Sequence, residues 1–127
     1  MLEHIGITIN DKRDINKFYK GLLELEEVAD FDISKEISSR IFDIHESTPI
    51  TLLKRDNLIL ELFYCQNNTT PVYNHICLSV ENRSDFLKKV QNAEYPIHIH
   101  QRSDKDDLVF IEDNSGNKFE IAGREKN

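Results

Sequence analysis

The sequence predicts an α+β protein made of two related units, each a strand, a helix and several further strands. Three observations predict it. Residues 4–11 (HIGITIND) align with residues 75–82 (HICLSVEN), matching His4 with His75, Ile5 with Ile76, Thr8 with Ser79 and Ile9 with Val80. Each segment is followed by apolar residues at helical spacing. Each unit then closes on a strand that holds one glutamate among apolar residues, Leu58–Phe63 in the first and Lys118–Ala122 in the second. Internal duplication of this kind sets the architecture before any local pattern does.

The elements follow in order. Strand side chains alternate between faces, so Ile5, Ile7 and Ile9 share one face of the opening strand and His4, Gly6 and Thr8 the other. Ile15, Phe18, Tyr19 and Leu22 then fall at i, i+3, i+4 and i+7, one face of a helix. The first unit is longer between its His and its Glu than the second. The extra residues are placed in 34–48, where SKEISSRIFDIH forms a short additional helix before the strand ITLLKR. Leu58, Leu60 and Leu62 make an apolar face for the helix, with Ile59, Glu61 and Phe63 opposite. The polar link Gln66–Pro71 divides the chain into a first module, 1–66, and a second, 67–127.

The second module repeats the scheme. Ile76, Leu78 and Val80 face the core, and His75, Cys77 and Ser79 face away. Phe86, Leu87 and Val90 mark the helix, with Asn82 or Ser84 as its cap. In the closing strand Phe119 and Ile121 are core-facing, while Lys118, Glu120 and Ala122 point the other way.

Composition narrows the function classes. The 127 residues carry 16 Lys+Arg against 23 Asp+Glu, a net charge of −7, and no basic stripe for tracking phosphates, which argues against a nucleic-acid partner. The longest apolar runs are about five residues, against roughly 20 needed to span a bilayer, so no membrane partner is expected. MLEHIGITIN lacks a basic start and an apolar leader, which predicts a cytoplasmic protein. Two cysteines, Cys65 and Cys77, are too few for a disulfide scaffold, and the Asn-x-Ser/Thr triplets at Asn67, Asn68 and Asn82 read as ordinary surface.

Two imidazoles and two carboxylates, His4, Glu61, His75 and Glu120, thus occupy matching positions and are aimed away from the helices. The small residues around them leave room for a cavity. Carboxylates that converge there need a cation or shared protons. Neutral imidazole with carboxylate oxygen, without thiolate, suits a divalent ion: Zn, Ni, Co, Mn or Fe. One His at a strand start is more often structural than a ligand; duplication of both His and Glu at equivalent places favours the metal.

The residues His4–Asp11 followed by Phe18-Tyr19-Lys20-Gly21-Leu22-Leu23 resemble the opening strand and FY-x-x-x-L helix of the vicinal oxygen chelate (glyoxalase, bleomycin resistance, dioxygenase) superfamily. Leu60-Glu61-Leu62 and His75–Val80 resemble the end of its first module and the start of its second. Val109–Ile121 resembles its closing F-x-x-D-P-x-G-N-x-x-E-L motif, with Asn114 in place of the proline. The resemblance covers nearly the whole chain. It implies paired βαβββ modules forming a curved mixed-sheet cup, the glyoxalase-like fold, around a metal held by His4, Glu61, His75 and Glu120. That ligand set is closest to glyoxalase I-type lyases. Fosfomycin-type members use three protein ligands, and epimerases commonly carry Gln at the position of His4. Thr8 and Cys65 stand where bacterial glyoxalase I enzymes have an Arg and an Asn that hold glutathione, which leaves the substrate open. A homodimer is also implied, since the cup of short members is often completed by two chains.

The expected activity is a metal-dependent lyase or isomerase acting on a small molecule, moving a proton next to a carbonyl through an enediolate, with Glu120 as base and Glu61 as its symmetric partner. The alternatives are a binding or resistance protein using the same cup without chemistry, a metal-dependent thiol transferase, and an acyl-CoA epimerase. Bound metal in purified protein separates the first of these from the rest. For the remaining candidates the structural reading is favoured: His98 and His100 share a face of a solvated edge strand, Cys65 and Cys77 pack as small apolar groups, and Arg102 and Lys105 are loop charges.

Overall fold

The computed structural model describes residues 3–66, 75–103 and 105–123. The chain divides into two compact units, Met1–Thr70 and Pro71–Asn127, each holding one four-stranded mixed sheet. The polar link lies, from Asn67 onward, outside the described residues, as do the triplets beginning at Asn67 and Asn68.

The first unit runs β1 (Ile5–Ile9), a helical segment (Ile15–Lys20), β2 (Glu26–Ile33), α1 (Lys35–Phe42), β3 (Thr48–Arg55) and β4 (Leu58–Tyr64). The spatial order is β1-β4-β3-β2. β1 and β4 are parallel, and β4, β3 and β2 are joined antiparallel. The alternation expected from sequence is present: Ile7, Ile9, Leu60 and Leu62 are all buried. β2 is an outer strand of its sheet, mostly exposed, with a bulge between Glu27 and Ala29. Glu26, Glu27, Asp30 and Asp32 place four carboxylates along it.

The helix expected at Ile15–Leu22 is shorter and wider than its spacing suggests. Ile15–Lys20 forms a π-type segment, continued by Leu23 N–H to Phe18 O at 3.0 Å and Leu25 N–H to Tyr19 O at 3.1 Å. Phe18 and Tyr19, adjacent in sequence, are both fully buried and pack edge to face at 4.9 Å. Gly21 closes the segment. A Cβ there would lie 2.5 Å from Lys17 O and 2.9 Å from Asn16 O, backbone atoms that cannot step aside.

The additional helix falls where the sequence places it. Ser34 caps α1 by accepting from Ile37 N–H at 3.2 Å, and Asp43 ends it in the left-handed region at φ 57°. α1 is fastened to β3 through buried Ser38, whose Oγ accepts from Thr48 Oγ1 at 2.9 Å. Phe42 packs against Phe63 with ring centroids 4.8 Å apart. Phe63 shares a face with Glu61, so α1 covers part of the face that parity alone assigns to a cavity.

The second unit runs β5 (Ile76–Val80), α2 (Arg83–Asn92), β6 (Ile97–His100), β7 (Leu108–Glu112) and β8 (Lys118–Gly123), in the order β5-β8-β7-β6. β5 and β8 are parallel, repeating β1 and β4. Asn82, not Ser84, caps α2, accepting from Asp85 N–H at 3.0 Å. Arg83 ties the helix start to the sheet by donating to the carbonyls of Asp107 and Ile121. Phe86 and Val90 are buried, as are Val109, Ile111, Phe119 and Ile121 beneath them. Between β7 and β8 buried Asp113 holds the turn, accepting from the N–H groups of Ser115 and Asn117 and from Asn117 Nδ2. Gly116 supplies the positive φ of 86° that this turn requires.

Candidate functional site

Parallel pairing of first and last strands determines where the duplicated donors stand. In the first unit Gly6 lies opposite Glu61, and His4 precedes Gly6 by two residues on the same face. His4 Nε2 is 3.2 Å from Glu61 Oε1. In the second unit Cys77 lies opposite Glu120, and His75 precedes Cys77 by two. His75 Nε2 is 3.3 Å from Glu120 Oε1. The two units therefore build the same imidazole–carboxylate pair from the same register. Both carboxylates are shielded more than the imidazoles: Glu61 is 23% exposed beside His4 at 48%, and Glu120 28% beside His75 at 35%.

The spacing suits chelation. Two donors about 2.1 Å from one ion, subtending an angle near tetrahedral or right, lie roughly 3.0–3.4 Å apart. Nitrogen and carboxylate oxygen together fit Zn and its first-row neighbours. Each pair is an edge of such a coordination shell rather than a whole one. Among the described residues no group of three or more His, Cys, Asp or Glu side chains gathers in either unit. Without an ion the same geometry is a histidine–carboxylate hydrogen bond, with Nε2 donating because an ionised carboxylate can only accept.

The surroundings of the two pairs differ. Gly6, opposite Glu61, lies close against the Phe63 ring, which a Cβ at Gly6 would meet at 3.3 Å. In the second unit that position is Cys77, whose thiol is exposed rather than packed as expected. Partial burial against the sheet, and then the neighbouring Glu120 carboxylate, push the Cys77 thiol above its usual range. Phe110 stands edge-on to the His75 ring at 5.2 Å and limits its rotation. Cys65 follows the expected reading: it is buried, with its N–H bonded to Ile9 O at 2.9 Å.

The other candidates separate. His100 is exposed, opposite Leu108. Arg102 Nε donates to Asp106 O at 2.8 Å, within its own loop, and Lys105 is exposed. His98, in contrast, is paired: its Nε2 meets Glu112 Oε2. Glu112 was not singled out by its position in the closing motif. Pairing β6 with β7 as an antiparallel hairpin is the signal that finds it, since that register puts His98 opposite Phe110 and Glu112 two residues along on the same face.

Comparison with known proteins shows what the whole chain is similar to. The family model for the Glyoxalase/Bleomycin resistance protein/Dioxygenase superfamily matches residues 1–121. No curated protein matches the sequence. Among solved structures, a glyoxalase family protein from Bacillus cereus superposes with a TM-score of 0.74 at 14% identity, covering 96% of this chain and 92% of that one. A glyoxalase family protein from Enterococcus faecalis gives 0.73 at 15% identity, covering 95% of each chain. A mutant of the fosfomycin resistance protein FosX from Listeria monocytogenes, complexed with Mn(II) and 1S,2S-dihydroxypropylphosphonic acid, gives 0.70 at 15% identity over 97% of this chain and 90% of that one. At such identities the likeness is one of fold.

Proposed function

The chain belongs to the glyoxalase/bleomycin resistance/dioxygenase superfamily, and from that premise we propose that it is a metal-dependent lyase or isomerase of glyoxalase type, moving a proton next to the carbonyl of a small substrate. His4, Glu61, His75 and Glu120 are its metal ligands, two from each unit, in a homodimeric cytoplasmic protein. The observation that carries this reading is the repetition of one His–Glu pair, at 3.2 and 3.3 Å, in the same register of both sheets. A partly exposed pair contributes only about 0–1 kcal/mol to stability, so stability alone does little to keep the pair in both copies of a duplicated unit.

When bound, a divalent ion supplies Lewis acidity and a template for two neighbouring substrate oxygens. The chain's own residues do the rest. Glu120 would take the proton from the carbon beside the carbonyl and return it to the carbonyl carbon, while the hydroxyl proton passes to the former carbonyl oxygen, so that a hemithioacetal R-CO-CH(OH)-SR′ becomes the hydroxy thioester R-CH(OH)-CO-SR′. Glu61 is its symmetric partner and shares the transfer. His4 and His75 would stay as ligands, oriented by their carboxylate neighbours, with the Phe110 ring edge-on against His75.

The test is metal analysis of the purified protein, with Mn, Fe, Co, Ni and Zn supplied in turn; Mn(II) is included because the FosX complex contains it. A panel of hemithioacetals and 2-methyl-acyl thioesters follows. Turnover of at least one panel member, lost in Glu120→Gln with the fold retained, is the expected result. Full activity in Glu120→Gln, or a protein that binds no divalent ion, would refute the assignment.

A further inference from the structure

A third imidazole–carboxylate pair stands on the second sheet. His98 lies opposite Phe110, Phe110 opposite Glu120 and Glu120 opposite Cys77, so these four form one row across β6, β7, β8 and β5. Glu112, two residues from Phe110, shares that face, and its Oε2 meets His98 Nε2. Because an ionised carboxylate only accepts, Nε2 carries a proton, a tautomer whose Nδ1 is an acceptor. No hydrogen bond from a described residue reaches Nδ1, and the His98 side chain is 58% exposed.

The fold does not require this pair. In the first sheet Leu52 lies opposite Glu61, and Ala29 opposite Leu52. Ala29 and Lys54 therefore stand where His98 and Glu112 stand, although His4 and Glu61 are matched by His75 and Glu120. An ion pair this exposed adds little stability. It is present in one copy of the duplicated sheet and absent from the other, on the face that carries Glu120.

We propose that His98 and Glu112 form a substrate-recognition pair: Glu112 orients the ring, and His98 Nδ1 accepts a hydrogen bond from a hydroxyl at the far end of a substrate whose carbonyl end lies at His75 and Glu120. This rests on the function proposed above and names the substrate class, an acyl or hemithioacetal compound bearing a distal hydroxyl. Strands are about 4.8 Å apart, so the backbone positions of His98 and Glu120, two strands apart, are separated by roughly 10 Å. Phe110 occupies the interval and offers apolar surface to the chain joining the two ends. His98 determines specificity, and Glu112 is a positioning residue.

The test compares the methylglyoxal hemithioacetals of 2-mercaptoethanol and 1-propanethiol, which differ by a terminal hydroxyl in place of a methyl. The wild-type protein is expected to favour the hydroxyl compound about tenfold in kcat/KM. His98→Leu removes that preference and leaves the propyl compound unchanged, while Glu112→Leu raises KM for the hydroxyl compound at constant kcat. Nitrogen-15 NMR of the His98 ring, with and without Zn(II), supplies a readout independent of turnover. It is expected to show a proton on Nε2, and ring shifts that move with S-(2-hydroxyethyl) lactoyl thioester but not with its S-propyl counterpart. Turnover of neither hemithioacetal, with the NMR discrimination intact, removes the proton-transfer reading and keeps the recognition pair. Equal use of both compounds, equal loss of both in His98→Leu, or a ring that ignores the hydroxyl overturns the pair and leaves the reaction standing.

Discussion

Glu61 and Glu120 occupy one and the same register position in two separate sheets, Glu61 opposite Gly6 and Glu120 opposite Cys77 in parallel strand pairs. Each faces an imidazole that begins two residues before its partner, and each imidazole nitrogen reaches its carboxylate at hydrogen-bonding distance. The strand pairing thus dictates the donor pair in each unit.

Metal binding is expected to depend on both units. His4→Ala and His75→Ala should each weaken Zn(II) binding at least tenfold by calorimetric titration. In the wild type, Zn(II) at one hundred times its Kd should stabilise the fold by about 2.7 kcal/mol. Retention of wild-type affinity by both variants would count against a shared ligand set.

Gly21→Ala is expected to destabilise the first unit by about 1–3 kcal/mol, because the new methyl would meet Lys17 O at 2.5 Å. Urea denaturation measures the loss. Insertion of the methyl at no cost would mean that the π-type turn relaxes freely.

Asp113→Ala removes the acceptor for two backbone N–H groups and for Asn117 Nδ2, all within 2.8–2.9 Å in a buried turn. A loss of about 3 kcal/mol is expected from hydrogen bonds to a charged acceptor. Asp113→Asn, which keeps one oxygen, should recover part of it in the same denaturation experiment.

Cys77 alkylation reports the electrostatics beside Glu120. Its raised pKa leaves less thiolate at pH 8 than an unperturbed cysteine has, so metal-free protein should react with iodoacetamide more slowly than a free thiol. Removing the carboxylate charge in Glu120→Gln lowers that pKa and should speed the reaction. Buried Cys65 should remain unmodified until the protein unfolds.

Much of this was legible before any coordinates. Period-two alternation placed Leu60, Leu62, Phe119 and Ile121 in the core, because a strand has only two faces. The duplication put the two His and the two Glu at matching positions, while the pairing of each His with the Glu of its own unit came from the parallel register of the first and last strands. What escaped sequence reading depends on contacts distant along the chain. Phe18 and Tyr19 are buried together as the i, i+3, i+4 spacing predicts, but the wider π-type bonding that continues from Phe18 O to Leu23 N–H is not written in that spacing. Phe63 looked cavity-facing until α1 laid Phe42 over it. Glu112 became a partner for His98 only through the β6–β7 register.

The bulged, acidic β2 leaves a final consequence. An outermost strand offers backbone amides to any passing strand, and four carboxylates on this one disfavour pairing of β2 with the same edge of another copy, which steers self-association to other surfaces.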